Sequence, residues 1–310
     1  MTDCGLVANG VTFGYARSAP VLEEVRAVVP RGGLVGILGP NGSGKTTLLR
    51  LLAGLLSPWR GDVSLDRINL KTLGRGAAAR RIAIVPQETQ LAFDYSVLEM
   101  AVMGRYPHLG TFEVEGPEDL AIALDALRAT GTAHLASRPF NTLSGGEKQR
   151  VVIAGALAQF NAPTASDATE VLLLDEPTAS LDLAYQLEIR SVLLALNRTR
   201  GLTIAISTHD LNLAAALCRD LILLDRGRVL AAGSMPAMLE PALIRKLYDV
   251  DVDITAHPTA GHLVVVPLAR GNMRGNTQEP RAARANPASE AAERVGTRDE
   301  HIRGEHGPRD

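Results

Sequence analysis

The chain has few of the features that mark secreted, membrane-spanning or nucleic-acid-binding proteins. Two cysteines, Cys4 and Cys218, occur in 310 residues, and neither has the spacing of a disulfide framework or a metal site. No apolar run approaches the length of a membrane-spanning helix, and the N-terminus shows no signal-peptide core. These absences predict reduced thiols and a cytosolic chain.

The chain also has little excess charge of either sign and few aromatic residues. The formal net charge is −2 and aromatic residues make up 4% of the chain. Without a basic excess, binding to DNA or RNA would gain little from counterion release, so no nucleic-acid partner is expected. Apolar residues, by contrast, make up 46% of the chain, which is enough for the core of one large domain.

The most informative segment is a glycine-rich string, Gly39–Thr46, that fits the P-loop pattern G-x-x-x-x-G-K-[ST]. In this pattern, backbone N–H groups wrap nucleotide phosphates at a helix N-terminus. Lys45 is predicted to reach the outer phosphates, and the Thr46 hydroxyl to bind Mg²⁺. An apolar strand, Val35–Leu38, precedes the string and leucines at helical spacing follow it, which weighs against a glycine turn without a ligand. The predicted ATP-contacting residues here are Gly39, Pro40, Asn41, Gly42, Ser43, Gly44, Lys45, Thr46 and Thr47.

Two further strings follow in order. The first, Leu143–Glu147, contains two adjacent glycines that permit close backbone approach, after a Ser144 that can cap a helix or hydrogen-bond an anion. Taken alone, Ser144 with Glu147 indicates only a capping box. The second is an apolar run, Val171–Leu174, that ends in Asp175 and Glu176 and so predicts a buried strand with two carboxylates at its C-terminal edge.

Together the three strings resemble the ATP-binding cassette family, the ATPase subunits of membrane transporters, over roughly residues 5–268. The resemblance implies that Asp175 holds Mg²⁺ through water and that Glu176 is the general base for the attacking water. It also implies a homodimer in which Ser144, Gly145 and Gly146 of one copy contact the γ-phosphate bound by the other.

Four more positions match the family pattern. Gln87, after the strand Ile82–Val85, matches the glutamine that senses Mg²⁺ and water, and His209 matches the switch histidine on the γ-phosphate. Asp182 matches the loop that crosses the dimer interface. Tyr15 matches the ring that stacks on adenine, with Phe13 as the alternative if the register differs. Core packing of either ring, and a structural histidine, are the competing interpretations.

The predicted fold is α/β: a P-loop NTPase (RecA-like) core with an N-terminal antiparallel β subdomain and an inserted α-helical subdomain that carries the signature. The ATPase domain is predicted over residues 1–268, with the helical insertion at about 91–160. Within the insertion, Pro107 and Pro117 are expected to break helices. Residues 269–310 are rich in charged residues, glycine and proline and predict a disordered tail.

The segment Gly104–His108 resembles the importer branch for iron chelates, haem and cobalamin. In that branch the corresponding motif lines the groove that receives the permease. Alternatively, Tyr106 and His108 simply cap and pack a helix turn. The resemblance implies a permease dimer, a periplasmic or extracellular substrate-binding protein, and a peripheral location on the cytoplasmic face of the inner membrane. A soluble cassette ATPase acting on nucleic acid or ribosomes is the alternative, disfavoured by a single P-loop and the lack of heptads.

Two positions depart from the family pattern. Gly155 replaces a frequent arginine in the helix after the signature, and a glycine in a helix interior costs about 1 kcal/mol. Residues 161–169 lengthen the spacer between Ser144 and Asp175 and are predicted to form a surface loop.

Overall fold

The computed structural model describes residues 5–89, 93–160, 168–179, 181–259 and 261–270. Cys4, Ser180, residues 161–167 of the predicted loop and the predicted tail from residue 271 lie outside this range. The strands are β1 (Leu6–Phe13), β2 (Leu22–Val29), β3 (Leu34–Leu38), β4 (Arg60–Leu65), β5 (Ile68–Asn69), β6 (Ile82–Val85), β7 (Val171–Asp175), β8 (Thr203–Thr208), β9 (Asp220–Asp225), β10 (Arg228–Ser234), β11 (Val250–Ala256) and β12 (Leu263–Arg270). The helices are α1 (Lys45–Leu52), α2 (Leu70–Leu73), α3 (Arg75–Ala79), α4 (Val97–Val102), α5 (Pro117–Ala129), α6 (Gly145–Ala158), α7 (Leu183–Arg200), α8 (Leu211–Leu217), α9 (Met235–Met238) and α10 (Pro241–Tyr248), with short 3-10 turns at Met103–His108, Ala133–Leu135 and Phe140–Thr142.

A six-stranded sheet of order β10-β9-β3-β8-β7-β6 forms the centre. Strands β9, β3, β8, β7 and β6 run parallel, and β10 is an antiparallel edge strand. Alternate side chains of β3 enter different core clusters, with Leu38 on one face and Ile37 on the other, because successive side chains in a strand point to opposite faces. This sheet confirms the predicted α/β class.

The N-terminal strands form a separate antiparallel sheet of order β2-β1-β4-β5. Its apolar face and the leucines of α1 share one core cluster with one face of the central sheet. The antiparallel N-terminal subdomain is therefore present as predicted, and it packs against the helix that follows the glycine-rich string.

Helices α4, α5 and α6 pack together in the segment between β6 and β7. Neither of the two prolines that were expected to break helices lies in the interior of an α-helix. Pro117 is the first residue of α5, where its missing N–H costs no hydrogen bond, and Pro107 lies within the 3-10 turn Met103–His108, hereafter the 103–108 turn. Gly104 packs against the backbone of α6 at Gly155, since a Cβ on Gly104 would lie 2.0 Å from the Gly155 carbonyl oxygen.

The chain ends its described part in the C-terminal hairpin, formed by β11 and β12. Because β12 continues through Arg270, the tail predicted from residue 269 starts at least two residues too early. Among the residues that the structure describes, no helix is long and apolar enough to cross a membrane.

Candidate functional site

The glycine-rich string forms the turn between β3 and α1, and its backbone requires glycine. Gly44 has a φ of 104°, in the left-handed region that disfavours side chains. A Cβ on Gly39 would lie 2.2 Å from the Leu224 carbonyl oxygen. The turn is also tied to the β9–β10 connection, because the Gly227 N–H donates to the Ser43 carbonyl at 3.0 Å. Strand, turn and helix therefore have the arrangement that a phosphate-binding loop needs.

Three of the predicted ionisable residues meet at this turn. The Lys45 ammonium donates to the Gly39 carbonyl at 2.9 Å and lies 3.5 Å from Glu176 Oε1. Glu176 Oε2 is in turn 3.3 Å from His209 Nδ1. The lysine and glutamate side chains are largely buried, whereas the His209 side chain is 58% exposed. The structure thus brings together residues that are 164 positions apart in sequence, from Lys45 to His209 (209 − 45).

These residues border a cleft of about 370 Å³, hereafter the P-loop cleft. Its lining consists of Val21, Asn41, Gly42, Gly44, Lys45, Thr46, Thr47, Gln87 and Glu176. The predicted Gln87 therefore shares the cleft with the P-loop, and Pro40 borders the lysine through its carbonyl, 3.4 Å from Lys45 Nζ.

The two carboxylates at the end of β7 are held by a residue that the sequence did not single out. The Ser207 hydroxyl donates to Asp175 Oδ1 at 2.5 Å and accepts from the Glu176 N–H at 3.0 Å. Ser207 is the register partner of Asp175 on the parallel strand β8. A positive φ of 46° turns Glu176 toward the cleft, and such backbone strain costs about 1–3 kcal/mol in a non-glycine residue.

Of the two aromatic candidates, Tyr15 is exposed and Phe13 is buried. The Tyr15 hydroxyl lies 3.4 Å from Thr47 Oγ1, and its ring meets Phe13 edge-to-face with centroids 5.3 Å apart. Phe13 also contacts Trp59, with centroids 6.1 Å apart. Tyr15 is therefore the ring available for stacking beside the P-loop helix, and adenine binding there stays a prediction.

The signature residues form the N-terminus of α6. Ser144 Oγ accepts from the Glu147 N–H at 3.3 Å, and Glu147 Oε2 accepts from the Ser144 N–H at 2.8 Å. The bond from the Ser144 backbone lowers the pKa of Glu147. A Cβ on Gly146 would lie 2.2 Å from the Tyr185 ring, whereas one on Gly145 would meet only a Leu181 methyl at 3.3 Å.

The capping box at Ser144 is thus present. None of the signature residues is among those that line the P-loop cleft. Asp182 is the N-cap residue of α7, with no hydrogen bond from its side chain to that helix, and it is exposed. Action of Ser144, Gly145, Gly146 and Asp182 across a dimer interface stays a prediction.

The 103–108 turn holds the C-terminal end of α6. The buried Arg105 donates to the Ala158 carbonyl at 2.9 Å and pairs with Asp119 at 2.9 Å. His108 Nε2 donates to the Gln159 carbonyl at 2.8 Å. Burial lowers the pKa of His108, and the charges of Arg105 and Arg80 lower it further, against the Gln159 bond and Asp119, which raise it. Tyr106 is exposed, so the capping interpretation applies to His108.

Comparison with known proteins identifies the family. The model of the ABC transporter family matches residues 22–179. The chain is 41% identical to a hemin import ATP-binding protein of Bordetella pertussis over 84% of this chain and 98% of that protein. It is also 41% identical to a cobalamin import ATP-binding protein of Halobacterium salinarum, over 80% of this chain but only 60% of that longer relative. This chain belongs to the ABC transporter family.

Solved ABC transporter structures share the fold. A chain of an ABC transporter assigned to the metal-chelate type, in an inward-facing conformation, superposes with a TM-score of 0.73 at 29% identity, covering 86% of this chain and 98% of that one. A dimeric bacterial ABC transporter cassette superposes with a TM-score of 0.63 at 30% identity, covering 74% of this chain and 98% of that one. Membership of the ABC transporter family confirms the recognised resemblance, the fold and nucleotide binding.

Proposed function

We propose that this chain is the ATP-hydrolysing subunit of an importer for an iron complex, haem or cobalamin. The observation that carries the proposal is the cluster of Lys45, Glu176 and His209 at the P-loop cleft, because it unites a phosphate-binding cation, a general base and a switch residue. The cargo class is supported by the names of the relatives, which include hemin, cobalamin and ferric enterobactin transport proteins.

In the proposed reaction, the P-loop and Lys45 bind the outer phosphates of ATP, and Glu176 orients and deprotonates the attacking water. Mg²⁺ fits the donor set, since Thr46, Gln87 and Asp175 supply the oxygen ligands that this ion prefers. Among the described residues no three His, Cys, Asp or Glu side chains form a metal cluster, which suits an ion held largely by nucleotide oxygens. Bound Mg²⁺ would neutralise charge on the phosphates during transfer.

The proposed working unit is a homodimer that binds two ATP molecules between its subunits. Each site would join the P-loop of one subunit to Ser144, Gly145 and Gly146 of the other, with Asp182 at the interface. The ATPase dimer would lie on the cytoplasmic face of the membrane, and its closure would change the conformation of a permease dimer. A periplasmic or extracellular substrate-binding protein would deliver the cargo to that permease. The nucleic-acid or ribosome alternative gains no support from the relatives reported above.

Uptake of labelled haem, ferric siderophore and cobalamin tests the proposal in cells that carry the parent gene, no gene, or Glu176→Gln. We expect loss of one cargo without the gene and the same loss with Glu176→Gln. The matched control is Glu240→Gln, an identical change at an exposed N-cap position of α10, which should restore uptake. Unchanged uptake of all three cargoes in cells without the gene would contradict the proposed cargo class.

A further inference from the structure

A side-chain amide joins the helix after His209 to the C-terminal hairpin. Asn212, on the first turn of α8, accepts from the Val265 N–H at 2.8 Å and donates to the Val265 carbonyl at 3.1 Å. One amide thus satisfies both backbone groups of a β12 residue, as a neighbouring strand would do. Val265 is 3% exposed, so in the folded protein the Asn212 amide, and not solvent, pairs with its backbone groups.

The same turn of α8 is fixed to the segment that carries His209. Asp210 Oδ1 accepts from the N–H groups of Asn212 at 2.8 Å and Leu213 at 3.0 Å. The Asp210 N–H in turn donates to Thr208 Oγ1 at 3.0 Å. His209 therefore lies between the end of β8 and the first turn of α8. The Asn212 side chain attaches that turn to the C-terminal hairpin.

His209 needs such an anchor because its own side chain has little packing around it. That side chain is 58% exposed, and its contact with Glu176 Oε2 is 3.3 Å long. Burial therefore does not fix the imidazole, and its position depends on the backbone of residues 208–212. A displacement of about 1 Å in a catalytic group can lower a rate by about 100-fold.

A second residue before the C-terminal hairpin is buried. Tyr248, the last residue of α10, precedes β11, and its hydroxyl is buried. Burial raises the pKa of the Tyr248 phenol, contact with the Gly39 backbone lowers it, and the charge of Glu176 raises it. The Tyr248 pKa thus responds to the charge of Glu176, while its buried hydroxyl has no hydrogen-bond partner among the residues that the structure describes.

We propose that Asn212 is a positioning residue for His209, through which the C-terminal hairpin holds the switch histidine against Glu176. The inference rests on the proposed role of His209 in hydrolysis. It assigns to the hairpin a function in catalysis, although no hairpin residue lines the P-loop cleft among the residues that the structure describes.

Steady-state ATPase kinetics on the purified full chain test the proposal. We expect Asn212→Ala to lower kcat about tenfold while KM for ATP changes less than about twofold, because binding by the P-loop does not involve His209. Asn212→Asp keeps the acceptor for the Val265 N–H but loses the donor to its carbonyl, so its kcat should lie between those of Asn212→Ala and the parent. If Asn212→Ala does not fold, the kcat of Asn212→Asp alone tests the positioning role.

The control is Asn69→Ala, which removes a different asparagine side chain, one that caps α2 by accepting from the Lys71 N–H and lies away from the P-loop cleft. It should lower thermal stability without lowering kcat. A double variant, Asn212→Ala with His209→Ala, should be no slower than His209→Ala alone, since both changes act through one group.

Each outcome has a distinct meaning. Parent-like kcat in both Asn212 variants, or a fall that Asn69→Ala matches, would overturn the positioning role. Full additivity in the double variant would also overturn it. If His209→Ala itself keeps the parent kcat, the role of His209 in the proposed function fails, and that result is separate from the behaviour of Asn212.

Discussion

At the scale of single residues, Glu176 is the proposed general base for hydrolysis. Its carboxylate lies between Lys45 and His209, and its backbone adopts a strained conformation that directs it to the P-loop cleft. We expect Glu176→Gln to retain ATP binding, because Lys45 and the P-loop are unchanged, and to lower kcat by about 100-fold or more through loss of the base. Nucleotide binding by calorimetry and single-turnover hydrolysis measure the two effects. Near-parent turnover would remove Glu176 as the base.

His108 predicts an acid-sensitive contribution to stability. Its pKa is lowered from 6.5 in the folded protein, chiefly by burial, so the unfolded chain takes up this proton at a higher pH than the folded chain. The contribution of neutral His108 to stability is therefore complete above pH 6.5. It is lost as the pH falls toward the lowered pKa of His108 in the folded protein.

We expect the free energy of unfolding to fall as the pH drops below 6.5 toward the lowered pKa of His108, and His108→Gln to reduce that fall. Urea unfolding at each pH measures it. His134→Gln, at an exposed position, is the control and should keep the parent's pH dependence. An identical pH dependence in His108→Gln would contradict the assignment of this effect to the burial of His108.

At the scale of elements, the crossing of α6 over the 103–108 turn depends on two glycines that are not equivalent. A Cβ at Gly104 would lie 2.0 Å from a backbone oxygen, whereas one at Gly155 would meet the Met100 carbonyl at 3.1 Å. Gly104→Ala should therefore destabilise the protein by about 1–3 kcal/mol through overpacking. Gly155→Ala should change stability by less than about 1 kcal/mol, because a better helix propensity offsets the tighter contact.

Equilibrium unfolding in urea compares the two variants, and each is the control for the other. Equal losses of stability in the two variants would show that a Cβ is tolerated no better at position 155 than at position 104. Position 155 would then be packed as tightly as position 104, against the difference between the two Cβ distances.

The elements themselves were largely predictable, because each depends on local patterns. The apolar runs at Val35 and Val171 gave buried strands, and Ser144 with Glu147 gave the capping box. Prolines were harder to interpret, since Pro117 can end a segment or begin a helix and only its neighbours decide.

Contacts between distant parts of the chain were not predictable from those patterns. Ser207 reaches Asp175 from another strand, Arg105 reaches the end of α6, and Asn212 reaches Val265. Each involves a common polar residue with no local signal, and its partner is set by sheet order and helix packing. The sequence therefore identified the groups proposed for chemistry but not the groups that hold them in place.

At the scale of the whole molecule, the proposed sandwich makes each ATP site depend on two copies of the chain. Lys45→Ala should lose ATP binding, and Ser144→Arg should block the signature, so each variant alone should be inactive. In a mixture, a heterodimer would keep one site with an intact P-loop and an intact signature. An equal mixture should therefore recover about a quarter of the parent ATPase rate, because half of the dimers are mixed and each has one of two sites.

The control for the second variant is Ser96→Arg, which disrupts the same type of capping box at α4. It should cost similar stability, about 1 kcal/mol, without blocking hydrolysis by the purified subunit. A mixture that stays inactive, although both variants fold and exchange subunits, would argue against sites shared between two chains.

The aromatic row beside the P-loop has one more consequence at this scale. Trp59 is the only tryptophan in the chain, and it contacts Phe13, which contacts Tyr15. Its intrinsic fluorescence therefore originates two rings away from the proposed adenine position, with no other indole emission to obscure it. We expect adenine stacking on Tyr15 to change this emission, so that stopped-flow fluorescence would time nucleotide arrival and departure without an attached dye.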